Sequence, residues 1–309
     1  MSSGRRCPRH IAIVGATATG KSAIAIELAR RVAGIELVSV DSMQVYRGMD
    51  IGTAKPTAAE QAEVVHHLID LTDPDDDYTV TRFQDAFRSA ITAIEGRGNR
   101  ALLVGGTALY LRAAIDDLTI PAQHPDVRAQ LEAEPDTAAL HTRLAELDPA
   151  AAARMEPSNR RRIVRALEVT IGSGRPFSSY GPGLDAYPDS PFTLVGVSMA
   201  PAVGATRIEE RYEAQLAAGF LEEVRALAAR PAGLSRTARQ ALGYRELLRH
   251  VEHGEPLDAC LEEAVRRTRH MARRQRAWFR RDPRITWLDA HDNPVAAITA
   301  LIGSTTGQT

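Results

Sequence analysis

Cysteine and long apolar runs are scarce in this chain of 309 residues. The two cysteines, Cys7 and Cys260, lie far apart and lack the paired spacing of a zinc site or a disulfide framework. No stretch approaches about 18 uninterrupted apolar residues, so we expect no membrane span. The first ten residues are polar and basic, and no signal-peptide h-region follows them. These absences indicate a cytoplasmic protein with incidental or buried thiols.

Lysine is also rare: of the 38 basic side chains, only Lys21 and Lys55 are lysines, and the others are arginines. The net charge is -1. A nearly neutral chain has no overall attraction for nucleic acid, so any such binding must come from a local basic patch. The bias toward arginine indicates a GC-rich genome rather than a function. Lys21 nevertheless lies within a phosphate motif, where a compact ammonium fits and a planar guanidinium does not.

Residues 15–22, Gly-Ala-Thr-Ala-Thr-Gly-Lys-Ser, match the P-loop pattern G-x-x-x-x-G-K-[ST]. In such a loop backbone N–H groups converge on phosphate oxygens, a helix N-terminus adds its dipole, and Lys21 adds a positive charge. Ser22 offers a hydroxyl to Mg²⁺. The alternative is a chance glycine-rich turn, which the flanking strand and helix patterns disfavour. The motif indicates a di- or triphosphate and does not specify ATP.

Short apolar runs that alternate with helical patterns predict an α/β fold with a mainly parallel sheet. Apolar residues at four-residue steps after Lys21 predict a helix that Gly34 would end. We expect a P-loop NTPase-like core over residues 1–117 and 192–309, interrupted by a helical insertion over 118–191 that is rich in Ala, Arg and Glu. The predicted strands cover residues 10–15, 35–40, 101–104, 192–199 and 285–288.

Two further motifs follow predicted strands, at the edge of a parallel sheet where ligands bind. Asp41 ends the second strand, and its carboxylate could hold Mg²⁺ through water, accept a substrate proton, or cap a helix. Gly105-Gly106-Thr107 ends the third strand, where glycines permit close approach of a ligand and Thr107 can hydrogen-bond it. By contrast, the adjacent pair His66-His67 is a poor metal site, because neighbouring side chains diverge and no acidic partner has ligand spacing.

An amphipathic helix is predicted over residues 262–281, with one stripe that can pack on a core and an adjoining face of arginines. We expect Trp278 and Phe279 to be core residues rather than base-stacking ones. Dense guanidinium groups suit a polyanion, although a solvated charged face is the alternative. The helix arginines are Arg266, Arg267, Arg273, Arg274, Arg280 and Arg281, and the insertion carries a second basic cluster, Arg160–Arg162 with Arg165.

Taken together and in their order along the chain, these segments resemble those of the tRNA dimethylallyltransferase (isopentenyltransferase) family over nearly the whole sequence. The block Ser39–Pro56 is far more specific than the P-loop, which many unrelated enzymes share. Ala16 stands where this P-loop frequently has proline, and the insertion ends in a Gly/Pro-rich loop; neither departure removes a reacting group. The matching stretches are residues 15–22, 39–56, 105–110, 165–169, 240–246 and 273–280.

The resemblance implies that a dimethylallyl group is transferred from dimethylallyl diphosphate to N6 of adenine 37, in tRNAs reading codons that begin with U, with Mg²⁺ as cofactor. It implies that Asp41 is the general base and that Thr107 hydrogen-bonds near the reacting centre. Ser22 would also bind the metal. The diphosphate-binding residues would be Gly15, Thr17, Ala18, Thr19, Gly20, Lys21 and Ser22.

The same resemblance implies that the insertion reaches the anticodon stem-loop of tRNA, and we expect the protein to be a monomer. The implied tRNA contacts are Asp41, Ser42, Met43, Gln44, Arg128, Arg161, Arg162, Arg165, Gln240, Gly243, Tyr244, Arg245, Arg273, Arg274, Gln275, Trp278 and Arg280.

Three other functions share parts of this pattern. A small-molecule kinase would use the same P-loop with ATP, and ATP turnover without RNA would favour it. An adenylate prenyltransferase would use the same donor with a free nucleotide, but such an acceptor needs neither basic cluster. A non-catalytic RNA-binding protein with a vestigial P-loop would not require Lys21, Asp41 and Thr107 together.

Overall fold

The computed structural model describes residues 10–181, 183–184 and 186–304. They divide into a core unit, which runs to Ile115 and resumes at Asp189, and a second unit, Asp116–Pro188. The expected insertion, 118–191, differs from the second unit by a few residues at each end. Cys7 and the start of the chain lie outside the described residues, whereas Cys260 is a buried free thiol.

The core unit contains a parallel sheet with the strand order β3-β2-β4-β1-β5-β6, which confirms the predicted α/β class. Its register pairs Ile11 with Leu102 and Val40 with Gly105. The edge strand β3 was not predicted, because two residues are too short to show a periodic pattern. The strands are β1 (His10–Val14), β2 (Ile35–Val40), β3 (His66–His67), β4 (Arg100–Gly105), β5 (Phe192–Ser198) and β6 (Thr286–Asp289).

Helices cover both faces of this sheet. Ile26 and Leu28 of the first helix pack with Ile11 and Leu37 on one face, whereas Ala12 and Val38 contribute to a larger cluster on the other. The helices of the core unit are α1 (Lys21–Arg31), α2 (Ala58–Glu63), α3 (Val80–Gly96), α4 (Ala108–Ile115), α9 (Pro201–Ala217), α10 (Phe220–Ala228), α11 (Tyr244–His253), α12 (Leu257–Phe279) and α13 (Pro294–Ser304).

The second unit is helical and has its own core, in which Leu144, Ile163 and Leu167 are fully buried. Asp136 and Asn159 cap two of its helices by accepting backbone N–H groups. Its helices are α5 (Pro125–Ala133), α6 (Thr137–Leu147), α7 (Pro149–Ala152) and α8 (Arg160–Ser173). Among the residues with coordinates, no helix in either unit is long and apolar enough to cross a membrane.

The end of α1 differs from the prediction. The helix stops at Arg31, before Gly34, and Gly34 has a positive φ of 75° in the turn that leads into β2. Gly34 therefore adopts the left-handed conformation that glycine favours, but it does not end the helix as predicted.

The loop before α2 is held against α10 and α11 by hydrogen bonds and close packing. The Glu223 carboxylate accepts the backbone N–H of Asp50 at 3.0 Å and of Ile51 at 2.8 Å. Gly52 lies so close to the Phe220 and Tyr244 rings that a Cβ there would clash with both. These hydrogen bonds and ring contacts fix the position of the chain segment that follows Asp41.

We expect Gly52→Ala to lower the free energy of unfolding by about 1–3 kcal/mol, because the added methyl group must displace two packed rings. Urea unfolding monitored by circular dichroism measures the change. Gly96→Ala, at the exposed end of α3 with nothing within 4 Å of its Cβ position, is the matched control and should be neutral or slightly stabilising. Equal unfolding free energies for the two variants would contradict the packing argument.

Candidate active site

The P-loop leaves β1 at the carboxyl end of the sheet. Gly15 and Gly20 have φ values of 149° and 87°, and a Cβ on Gly15 would stand 2.5 Å from the Val197 carbonyl oxygen. Ala18 also has a positive φ, 65°, which is uncommon without glycine. Gly20 is the N-cap of α1 and provides no side chain to cap the first turn. The N–H groups of that turn therefore remain available to an anion.

Lys21 is buried beneath this loop. Its ammonium donates to the Ala16 carbonyl oxygen and lies 3.5 Å from Thr19 Oγ1. Burial lowers the pKa of Lys21 to about 8, the Asp41 carboxylate offsets this only in part, and Arg211 lowers the value further. The lysine is thus a desolvated cation that gains from the approach of a negative ligand.

Asp41 follows β2 and is partly buried. Its Oδ1 accepts the Met43 N–H at 2.8 Å within a turn. The next helix begins only at Ala58, so Asp41 does not cap a helix. Burial raises the pKa of Asp41, against the opposing effects of the Met43 and Gln44 N–H groups and of nearby cations. A carboxylate whose pKa is raised is a stronger base than a solvated one.

Thr107 lies on the adjacent loop, which follows β4. Its Oγ1 accepts the Ser42 N–H at 3.3 Å, and its own N–H donates to the Val40 carbonyl oxygen at 3.4 Å. Gly105 packs so closely on Val40 that a side chain there would clash with the backbone. The two predicted catalytic residues are therefore on loops that are hydrogen-bonded to each other.

A cavity of about 260 Å³ connects these loops. It is bounded by the P-loop, the ends of β2 and β4, and residues of α9 and α12. The polar side chains on its wall are Thr17, Lys21, Ser22, Ser39, Asp41, Gln44, Thr53, His66, Arg211 and Gln275.

Arg211, on α9, is the residue of this cavity that the motifs did not indicate. Its Nη1 donates to Thr17 Oγ1 at 2.9 Å, and its buried Nε has no hydrogen-bond partner among the residues with coordinates. Burial lowers the pKa of Arg211, although Tyr212 and Asp41 act to raise it. Arg207, one turn earlier, brings a guanidinium nitrogen to 3.9 Å from the Cβ position of Gly20. In the sequence this pair is indistinguishable from charges on an exposed helix.

Several residues expected to touch tRNA form hydrogen bonds or ring contacts within the core unit. Gln44 accepts the Ser39 hydroxyl and donates to the carbonyl oxygens of Thr53 and Ala54. Tyr244 is buried and donates to Glu223. The remaining members of this group are Gly243, whose N–H donates to Glu246; Arg245, whose guanidinium donates to Glu246; and Trp278, which lies against the Phe279 and Arg112 side chains.

Other expected contacts are exposed. On α12, Arg266 and Arg267 both pair with Glu263, and Arg267 also lies 3.5 Å from Glu246, so these two arginines already have acidic partners. Arg274 and Arg280 are exposed further along the chain, and the exposed Arg273 lies 3.3 Å from a His270 ring nitrogen. The charges best placed to meet a polyanion are therefore Arg273 and Arg274 of α12 and Arg280 at its C-cap, together called the arginine face below. Gln240, at the end of a short 3₁₀ helix, is also exposed.

In the second unit the predicted arginines divide in the same way. Arg165 donates to the fully buried Glu168 at 2.8 Å and to two backbone carbonyl oxygens, and Arg128 lies 3.8 Å from the same carboxylate. Arg161 and Arg162 are exposed at the start of α8. Arg165 and Arg128 thus stabilise the second unit through the buried Glu168, whereas Arg161 and Arg162 are exposed to solvent.

The expected Mg²⁺ site has few donor groups among the described residues. The part of the chain with coordinates holds no group of three or more His, Cys, Asp or Glu residues that could bind a metal. Ser22 and Asp41 share the cavity wall. One hydroxyl and one carboxylate suit a Mg²⁺ ion that arrives with a phosphorylated ligand and keeps several waters, rather than a dedicated protein cage.

The parallel sheet, the P-loop with its buried lysine and the carboxylate that follows a neighbouring strand have the geometry and charge to bind a phosphorylated ligand and to move a proton beside it. The family model described as IPP transferase matches residues 44–282, beginning after the P-loop. The chain therefore belongs to the IPP transferase family and is a transferase, which confirms the resemblance inferred from its motifs.

Individual relatives match over nearly the whole chain. A tRNA dimethylallyltransferase from Streptomyces coelicolor is 47% identical over 291 residues, covering 93% of this chain and 92% of the relative. The structure of a tRNA isopentenylpyrophosphate transferase from Bacillus halodurans has a TM-score of 0.70 at 37% identity and covers 96% of both chains. That of a eukaryotic dimethylallyltransferase acting on tRNA has a TM-score of 0.76 at 26% identity, covering 94% of this chain and 77% of that one.

We expect inorganic diphosphate to bind best when Lys21 is protonated. Affinity should be full below the lysine's pKa of about 8 and should fall as pH rises through it, approaching tenfold per pH unit. Titration calorimetry across this range measures the effect. Lys21→Met is the control, because diphosphate's own ionisation affects both proteins equally. Parallel pH profiles for the two would contradict a role for the ammonium.

Proposed function

We propose that this protein transfers a dimethylallyl group from dimethylallyl diphosphate to N6 of adenine 37, in tRNAs that read codons beginning with U. The observation that carries the proposal is that one cavity holds two cations, Lys21 of the P-loop and Arg211 of α9, together with Asp41. The named relatives supply the donor and acceptor classes. The proposal also includes a cytoplasmic location and a monomeric state, and the monomer is supported by the presence of both this cavity and the arginine face on a single chain.

The cations match the demands of the leaving group. Cleavage of the allylic C–O bond places negative charge on the departing diphosphate, so groups that bind the developing charge lower the barrier. Lys21 supplies one desolvated charge, and Arg211 supplies a second with an unpartnered buried Nε. The uncapped N–H groups at the start of α1 add donors that need no reorganisation.

Asp41 supplies the complementary proton chemistry. The lone pair of an adenine amino nitrogen is delocalised into the ring, which makes it a poor nucleophile until its proton is removed. Asp41 would take that proton as the new C–N bond forms, and its raised pKa favours the transfer. Thr107, hydrogen-bonded to the same loop, would orient the base by donating its hydroxyl hydrogen.

Ser22 is the residue proposed to hold Mg²⁺, and Asp41, on the wall of the same cavity, would bind one of its waters. When bound, the ion supplies further positive charge to the phosphate oxygens. Ser22 is exposed, so its hydroxyl is accessible to an ion that enters with the donor.

The arginine face is proposed to bind the tRNA backbone, with Arg161 and Arg162 of the second unit contacting the anticodon stem-loop. Guanidinium groups bind phosphate bidentately, and these five have few competing partners in the protein. The target adenine must leave its stack to reach a carboxylate within a cavity, as for other enzymes that act on a base.

The function is tested by incubating unmodified tRNA with the protein, dimethylallyl diphosphate and Mg²⁺, then analysing nucleosides by mass spectrometry. We expect one dimethylallyl group on adenine 37. Asp41→Asn keeps the side-chain shape but cannot take a proton, so the rate should fall about 10²–10⁴-fold while diphosphate still binds. ATP hydrolysis without prenyl transfer would indicate a kinase-like enzyme instead, and near-normal turnover by Asp41→Asn would remove its role as base.

The arginine face is tested by binding measurements across a salt series. Replacing Arg273 and Arg274 with glutamine should weaken tRNA binding and reduce the slope of log affinity against log salt by roughly 0.7–0.9 per lost contact. Donor binding should stay unchanged. Arg266→Gln is the matched control, because that exposed arginine already pairs with Glu263. An unchanged slope in the double variant would mean that this face is only solvated.

A further inference from the structure

We propose that Gln275 is a positioning residue whose side-chain amide joins the P-loop to the turn that carries Thr107. It would set the distance between the diphosphate site and the acceptor side of the cavity. This inference rests on the proposed function and concerns a residue that the family resemblance assigns to tRNA binding.

Two hydrogen bonds define the bridge. The Thr17 N–H donates to Gln275 Oε1 at 2.8 Å, and Gln275 Nε2 donates to the Gly106 carbonyl oxygen at 2.9 Å. Both partners are backbone groups from different loops, so the contact does not depend on another side chain. A Cβ on Gly106 would stand 2.5 Å from Gln275 Nε2, so a side chain at this position would displace the amide from the turn.

The chemistry of the bridge explains the residue type. Thr17 presents a donor and Gly106 presents an acceptor, so the bridging group must accept at one end and donate at the other. A glutamine amide does both. Glutamate would still accept from Thr17, but it could not donate to Gly106 and would place a negative charge on the wall of the proposed diphosphate site.

The bridge belongs to a longer series of contacts around the cavity. Arg211 donates to the Thr17 hydroxyl, Gln275 accepts the Thr17 N–H, and Thr107 accepts the Ser42 N–H beside Asp41. These contacts run from the proposed leaving-group cation to the proposed base. Gln275 is the only side chain in this series that touches both the P-loop and the β4 turn.

The position of Gln275 on α12 adds a second consequence. Successive helical residues project about 100° apart, so the residue after Arg273 and Arg274 can face the cavity while those arginines face solvent. One helix thus carries the arginine face on one side and the bridge on the other. The bridge uses one N–H and one oxygen lone pair of the Gln275 amide, which leaves one of each.

The experiment compares Gln275→Ala and Gln275→Glu with the unaltered chain. We expect kcat for prenyl transfer to fall about 10- to 100-fold in Gln275→Ala, because a small misplacement of reacting groups costs that much. The Kd for tRNA should change less than about twofold. Gln275→Glu should in addition raise the KM for dimethylallyl diphosphate, because its carboxylate repels the donor. Amide hydrogen exchange at Thr17 should accelerate in the alanine variant.

Arg274→Gln, the adjacent position, should give the opposite pattern, with weaker tRNA binding and unchanged Thr17 exchange. A weakened tRNA Kd with unchanged kcat in Gln275→Ala would make the residue an RNA contact and overturn the proposal. Unchanged Thr17 exchange in that variant would overturn it as well. If the unaltered chain transfers no prenyl group, the proposed function fails, whereas the exchange measurement still decides whether the bridge exists.

Discussion

The burial of the Lys21 ammonium beneath the P-loop is the interaction on which the site depends. Removing a cation from water costs free energy that a single backbone carbonyl recovers only in part, which is why burial lowers the pKa of Lys21 to about 8. The free protein thus holds a charge that is poorly compensated. Asp41 and Arg211 share its cavity, so the three charges influence one another's ionisation. A negative ligand relieves the imbalance, and the surrounding loops are arranged to admit one.

Much of this arrangement could be predicted from the sequence. The P-loop, Asp41 and the glycine turn before Thr107 each follow a strand, and strands of a parallel sheet end at one edge. Local patterns therefore sufficed to bring residues from positions 15 to 107 together. The long basic helix was equally clear, because its apolar stripe and its arginines repeat at helical steps. In each case the signal lay within a few residues of the group it placed.

What could not be predicted depends on contacts between distant segments. Arg211 reaches Thr17 across 194 positions and Gln275 reaches it across 258, and neither residue differs locally from its neighbours on an amphipathic helix. The same limit applies to the intramolecular partners of Gln44, Tyr244 and Arg245. Tyr244 donates to Glu223 and Arg245 donates to Glu246, whereas Gln44 bonds to the Ser39 hydroxyl and to two backbone carbonyl oxygens, and no local pattern marks these partners.

The two lysines have a consequence for regulation. Lys21 is 9% exposed, and the Lys55 side chain is 2% exposed because it binds Asp50, Asp70 and the Tyr46 carbonyl oxygen. Neither amine is presented to solvent in the folded protein. Acetylation or ubiquitin attachment, which need an accessible lysine, would have no lysine to use unless the chain first opened. Its surface cations are arginines, which stay charged throughout the physiological pH range.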